Sequence, residues 1–264
     1  MGASWPQPAP RRDHGSDIRV DSAQRCAYYS RKPACGGRGR ASNEEPWLAM
    51  DQRSLDKLFS ELQAILHFVN LTGAYDFEGY LFPIEGYALM YLAEHGGGEG
   101  VIVEIGSFKG RSTCWLAAGA KEARGEKVYA VDHFCGSLEH QPGQPHQDTS
   151  IVEHGSTFPE FQQNIRQAEL EEYVAPLCKA SAEAVKEWRG PIRLLFIDGD
   201  HSYEAVRQDF ELWTPFLIRG GILCLHDVGG WPGVTQFHDE LAQRTEEYES
   251  LFQLNSLAVF RKLR

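Results

Sequence analysis

The chain has 264 residues, 42% of them hydrophobic and 24% charged, enough apolar material for one core-bearing domain of ordinary size. Its formal net charge of −11 disfavours polyanions, whether nucleic acid or an acidic membrane surface, as the main partner. The charge is uneven: residues 1–50 carry +3 and the rest −14. Six cysteines include no C-x-x-C pair, and Cys178 and Cys224 sit in or beside apolar strand-like runs as small buried hydrophobes. That usage suits a reducing compartment rather than a disulfide framework. No apolar run approaches the roughly 18–20 residues that a bilayer crossing needs, and the N-terminus lacks the apolar core of a signal peptide. The cytoplasm is therefore the expected location.

Residues 1–50 are rich in Pro, Gly, Arg and Ser and have no apolar periodicity, which predicts a disordered tail, with a basic arm for an acidic partner as the alternative. Residues 51–100 read as a helical cap. Leu55, Leu58, Phe59, Leu62, Ile65, Leu66 and Val69 recur at helical spacing, and a second helix follows Pro83 and ends at Gly96-Gly97-Gly98. From residue 101 strands and helices alternate. Strands are predicted at 101–105, 127–131, 173–178, 192–197 and 221–225. Helices are predicted at 111–124, 158–168, 182–188, 203–216 and 234–245. A polar loop covers 133–156, and a closing pair of strands covers 251–254 and 256–260. This alternation implies a doubly wound α/β fold with a mostly parallel sheet covered on both faces. The short link in the last pair permits only an antiparallel hairpin.

Doubly wound sheets bind ligands outside the carboxyl ends of their strands. Four acids fall at or near such ends: Glu104, Asp132, Asp198 and Asp227. Between the first strand and its helix lies Glu104-Ile105-Gly106-Ser107-Phe108-Lys109-Gly110. Gly106 allows a tight bend and close ligand approach, and the following helix N-terminus favours a carboxylate. The pattern is E-x-G-x-x-x-G, not the G-x-G-x-x-G of dinucleotide enzymes, because Ser107 stands where a pyrophosphate needs a second glycine. Asp132 is placed to accept both hydroxyls of a ribose. Ala180-Ser181-Ala182 can admit the edge of an adenine ring, or Ser181 can cap the next helix.

The run from Val103 to Gly110, Asp132-His133-Phe134, Phe196-Ile197-Asp198-Gly199-Asp200-His201-Ser202-Tyr203, and Gly220-Gly221-Ile222 with His226-Asp227-Val228 resemble a class I methyltransferase dependent on S-adenosylmethionine (SAM). More narrowly, they resemble the bacterial small-molecule family related to macrolide-sugar O-methyltransferases. The resemblance implies a seven-stranded Rossmann-like sheet whose last strand inserts antiparallel, with SAM as cofactor. It places Glu104, Gly106, Ser107, Gly110, Asp132, His133, Ser181, Ala182 and Asp198 around SAM.

Methyl transfer from a sulfonium is an in-line displacement, and an alcohol acceptor must also lose a proton. His201, three residues past Asp198, is the first choice for the base, with Asp198 beside it. Asp198 and Asp227 end neighbouring strands and suit a hard cation such as Mg²⁺. In the resemblance a third ligand sits beside the second acid; here the candidates are His226, unusual for Mg²⁺, and Val228, which cannot ligate, with Asp200 as an alternative source of the missing oxygen. Hydrogen bonding of loops and acceptor is the alternative role for these acids. His140, His146 and His154 in the loop read as solvated, and Trp188, Trp213 and Trp231 as packing residues, with Trp231 near enough to border the pocket. The acceptor is expected to be a small molecule, a sugar or natural product, with no nucleic acid or membrane partner and with homo-oligomerisation left open. Two alternatives remain: an NAD-type Rossmann oxidoreductase, which Ser107 opposes, and a catalytically silent SAM-binding protein, which the retained acids oppose.

Overall fold

The computed structural model describes residues 52–264; the expected tail, residues 1–50, lies outside the described residues. The order is α1 (Gln52–Ala74), α2 (Pro83–His95), β1 (Val101–Ile105), α3 (Arg111–Ala123), β2 (Val128–Asp132), α4 (Thr149–His154), α5 (Phe158–Gln167), β3 (Val174–Cys178), α6 (Ser181–Glu187), β4 (Ile192–Ile197), α7 (Tyr203–Trp213), β5 (Leu217–Leu225), α8 (Pro232–Ala242), β6 (Tyr248–Leu254) and β7 (Leu257–Lys262). The strands form one seven-stranded sheet in the order β3-β2-β1-β4-β5-β7-β6. Strands β1 to β5 pair in parallel, and β7 runs antiparallel to both β5 and β6. Among the described residues no helix is long and apolar enough to cross a membrane.

Side chains alternate across the sheet with the period of two that a strand imposes. Ile102, Leu194 and Phe196 face one apolar cluster, which contains Leu89 and Met90 of α2, Trp115 and Leu116 of α3, and Phe161 of α5. Val103, Ile105, Leu195 and Ile197 face the other, with Val206, Phe210 and Trp213 of α7 and Phe237 and Leu241 of α8. Every residue of β4 is buried, which is why it reads as an unbroken apolar run. Buried Arg193 is satisfied by Glu126 and by the Ala93 and Gly96 carbonyls, tying the end of α2 to β4.

Several expectations are corrected. The 133–156 loop contains a 3-10 turn, Leu138–His140, and the short helix α4, whose N-cap Asp148 accepts from the amides of Ser150 and Ile151. Strand β5 begins at Leu217, earlier than predicted, because its register shifts between Ile192↔Leu217 and Leu194↔Ile222 and so carries Arg219-Gly220-Gly221 as an irregularity within the strand. Cys178 is exposed on edge strand β3, whereas Cys224 is buried. On α1, Ile65, Leu66 and Val69 are exposed despite their helical spacing, while Leu71 packs on the core.

The order of the sheet reverses at β1 and β4, whose carboxyl ends define the crevice. The ladder continues past the strand ends: Gly106 N–H donates to Val131 O (2.9 Å), Asp198 N–H to Ile105 O (2.8 Å) and His226 N–H to Ile197 O (3.2 Å). Gly106 has φ +84°, and a Cβ there would lie 2.0 Å from the Asp198 carbonyl oxygen. Gly106→Ala is expected to cost on the order of 3–5 kcal/mol, a backbone clash plus left-handed strain. Gly97→Ala, with nothing within 4 Å of the added carbon, serves as the neutral control, and chemical denaturation compares the two.

Candidate active site

The loops after β1, β2, β4 and β5 build the crevice. Three of the described non-glycine residues with positive φ lie in them: Phe108 (47°), Phe134 (58°) and Asp227 (64°). Such conformations persist only where surrounding structure enforces them, and they cluster at functional sites.

At the glycine turn, Gly110 is the left-handed N-cap of α3 (φ 86°). Asp132 closes the turn: its Oδ2 accepts from the amides of Ser107 (2.9 Å) and Phe108 (2.8 Å), and its Oδ1 from Phe134 (2.6 Å). The Ser107 hydroxyl is buried without a hydrogen-bond partner of sound geometry, although it lies near enough to Glu104 to favour that carboxylate's charge. A buried polar atom left unpaired in this way needs a ligand or water to complete it. Glu104, expected around the cofactor, faces the first turn of α3. It is fully buried and accepts from the hydroxyls of Ser112 (2.5 Å) and Thr113 in the first turn of α3. Burial pushes its carboxyl up to about 7, against those hydrogen bonds.

His133 is exposed, with Nδ1 accepting from Cys135 N–H (3.0 Å). Ser181 does not cap α6; Ala180 holds the N-cap position. Ser181 Oγ instead accepts from Trp213 Nε1 (2.8 Å), beside buried Asp209, whose carboxyl burial pushes up to about 6. Ala182 is half-buried next to it.

On the other side of the crevice, Asp198, His201 and Asp227 converge, each offering a ligand atom within 4.8 Å of the others. His201 Nε2 lies 3.0 Å from Asp227 Oδ2, its ring stacks on Trp231 at 4.5 Å, and Nδ1 is 3.0 Å from Glu139 Oε1. The angle of that last approach is poor for a hydrogen bond, so Glu139 acts on the ring through its charge. Burial opposes the charge on His201, but Asp227, Asp198 and Glu139 together raise its pKa. His226, expected as a third metal ligand, is placed differently. It is buried beneath the acids, with Nδ1 3.0 Å from Asp198 Oδ1 and 3.5 Å from Asp227 Oδ1, and Nε2 3.2 Å from Glu85 Oε2. It stands outside the group of Asp198, His201 and Asp227 whose ligand atoms converge, and its pKa is well above the ordinary value, against burial. Burial raises Asp198, while His201 and His226 hold Asp227 well below the usual carboxylate range despite burial.

Sequence reasoning missed Glu139, Glu85, and the pairing of buried Lys109 with Asp148 (2.7 Å) and Glu78 (2.9 Å). Lys109 and Asp148 moor the 133–156 loop to the glycine turn. The Asp148-x-x capping pattern was the available signal for that mooring. Of the loop histidines, His140 is buried and stacks on Phe108 (5.2 Å), His146 meets the edge of Trp231 (6.4 Å), and His154 is exposed. Trp188 and Trp213 pack as expected, whereas Trp231 borders the site.

The sheet order, the glycine turn and the acids at the strand ends define a class I methyltransferase architecture. Residues 103–228 match the family model described as a methyltransferase domain. That stretch contains the strands and loops that build the crevice, and the match favours the methyltransferase reading over the oxidoreductase alternative. Similar solved structures include the O-methyltransferase NovP (18% identity, TM-score 0.57, 68% of this chain and 80% of that one). Another is the Bacillus cereus O-methyltransferase in complex with SAH (18%, 0.52, 80% and 97%). A third is TomG from Streptomyces achromogenes, involved in tomaymycin synthesis, in complex with SAM (16%, 0.51, 82% and 100%). At these identities the likeness is one of fold. An uncharacterized protein of Acanthamoeba polyphaga mimivirus is 26% identical over 125 residues, 47% of this chain; the chain spans about half the length of that relative.

The Glu104 carboxyl, raised from 4.5 to about 7, makes stability depend on pH. Its contribution is complete below the unfolded value near 4.5 and is lost as pH rises through 7, a span of roughly 3 kcal/mol. Glu104→Gln is expected to flatten the fall in Tm between pH 5 and 8, and a melting series across that range checks it.

Proposed function

We propose that this protein transfers the methyl group of SAM to a hydroxyl of a small molecule, a sugar or natural product. The convergence of Asp198, His201 and Asp227 beside the glycine turn carries this reading. The N-terminus of α3, where the helix dipole favours an anion, would hold the cofactor's carboxylate. Asp132 keeps one unengaged lone pair on Oδ1 for a ribose hydroxyl, and Ser181 and Ala182 border the adenine. Glu104 serves by fixing α3 rather than by touching the ligand.

His201 takes the acceptor's proton as the methyl moves. Its ring is clamped by Trp231 and Glu139, which removes rotational freedom from the base. Asp198 and Asp227 orient the acceptor hydroxyl. Their convergence with His201 favours a second reading, in which the three hold a divalent cation that acidifies the hydroxyl. Two carboxylates and an imidazole suit Mn²⁺ or a softer ion better than Mg²⁺. A ligating His201 cannot also be the base, so the two readings exclude each other within one turnover.

The acidity of the chain, −11 overall, supports a partner that is neither nucleic acid nor membrane. The four described cysteines are all unpaired, which supports the cytoplasm as location.

Calorimetry should detect SAM binding, weakened about tenfold or more by Asp132→Ala. An acceptor screen reading out S-adenosylhomocysteine should then find turnover that His201→Ala lowers by roughly 10²–10⁴. Turnover unchanged in both His201→Ala and Asp227→Ala would remove these residues from the chemistry while leaving the cofactor assignment intact. Activity abolished by chelation and restored by Mn²⁺ would select the cation reading.

A further inference from the structure

Glu85 lies on α2, outside the stretch that matches the methyltransferase domain, yet it reaches the floor of the active site. It is fully buried, and its carboxylate accepts from four donors. Oε2 takes the Phe82 amide (2.9 Å) and His226 Nε2–H (3.2 Å); Oε1 takes the Ser256 amide (2.9 Å) and hydroxyl (2.8 Å). Three of these contacts are architecture. The Phe82 contact caps α2, and the two to Ser256 staple the helix to the turn between β6 and β7. None of the three needs a buried ion beside an imidazole.

The His226 contact has a different consequence. His226 hydrogen-bonds on opposite edges of its ring, to Glu85 through Nε2 and to Asp198 through Nδ1. A planar ring held at one edge has its other edge fixed in direction. Phe196 meets the ring at 6.1 Å and 72°, which opposes tilting. The orientation of Asp198 is thus set from α2, across a sequence separation of 141 residues between Glu85 and His226. Without Glu85, Nε2 would keep only the Ser256 hydroxyl at 3.2 Å, which is itself held by Glu85 Oε1, and the ring would lose the charged partner that fixes this edge.

We propose that Glu85 is a positioning residue which, through His226, holds the Asp198 carboxylate in its working orientation. The segment before the matched domain therefore completes the active site instead of merely covering the sheet. This rests on the reading of Asp198, His201 and Asp227 as the site of chemistry.

The test uses the full chain labelled with ¹⁵N-histidine and proton NMR of ring N–H signals protected from exchange. His226→Gln assigns the two His226 signals by removing them, and Asp198→Asn identifies the Nδ1–H by shifting it. Glu85→Ala is expected to abolish the protected Nε2–H signal and also to move the Nδ1–H signal. Glu85→Gln, which keeps an acceptor oxygen, retains both. With an acceptor from the screen, Glu85→Ala should lower kcat about tenfold or more while the KM for SAM stays within about twofold, and Glu85→Gln should recover most of the rate. Should Glu85→Ala fail to fold, Glu85→Asp, one methylene shorter, is expected to move both signals together. Ser256→Ala, which removes the hydroxyl contacts to Glu85 and His226 but keeps the Glu85–His226 bond, should leave the Nδ1–H signal in place. An Nδ1–H signal at its wild-type position in Glu85→Ala, or in Glu85→Asp where that variant is used, would reduce Glu85 to a staple. The NMR outcome stands whether or not His201→Ala and Asp227→Ala lose turnover, so failure of the site reading and failure of the positioning role are separable.

Discussion

The contact on which the rest of the molecule depends is the abutment of two strand ends, the backbone of Gly106 against the carbonyl of Asp198. Only hydrogen fits on the Gly106 α-carbon, with a Cβ placed 2.0 Å from that carbonyl oxygen. This lets β1 and β4 remain in register to their last residues, Ile105 opposite Ile197. From that point their loops diverge to opposite faces, one into α3 and the other into α7. The gap that opens holds the cofactor turn on one wall and the Asp198 loop on the other. Had the strands been forced apart, the same residues would remain but would no longer share a crevice.

Polar groups in the crevice fall into two sets that meet at β4. One, around Asp132, Ser107 and Glu104, is built on backbone amides and hydroxyls and is fixed by the start of α3. The other, around Asp198, Asp227, His201 and His226, is built on charge. Two imidazoles are interleaved with carboxylates delivered from α2, from the Leu138–His140 turn, and from the ends of β4 and β5. Interleaving opposite charges lets so many ionisable groups share a partly dry space. Each carboxylate that loses water gains a cationic neighbour, without which its desolvation would cost several kcal/mol.

Much of the fold was legible because β1, β4 and β5 are buried on both faces and therefore spell continuous apolar runs bounded by acids and glycines. Where the apolar signal is weak, sequence reading failed for identifiable reasons. Helix α4 is six residues long and held by a cap and a mooring, not by an apolar stripe. The early part of β5 contains Arg219-Gly220-Gly221, which spells a turn, yet is carried as a register shift inside the strand. In the site, the acids and histidines were found because each sits at a strand end. Their division of labour was not, because it depends on which neighbours arrive from elsewhere. His226 and Asp227 are adjacent in sequence, but Glu85 claims the far edge of one, while His201, gripped by Glu139, lies against the other.

The loop over the crevice is anchored at two points. At its base the Thr157 amide donates to the Phe134 carbonyl, and near its middle Asp148 is bound to Lys109 of the glycine turn. Between these anchors, residues 135–147 touch the rim mainly through Glu139, His140 and His146. That span therefore couples the two walls of the crevice, since Glu139 reaches His201 while His140 stacks on Phe108 of the glycine turn, and a change of sequence there is felt on both sides at once.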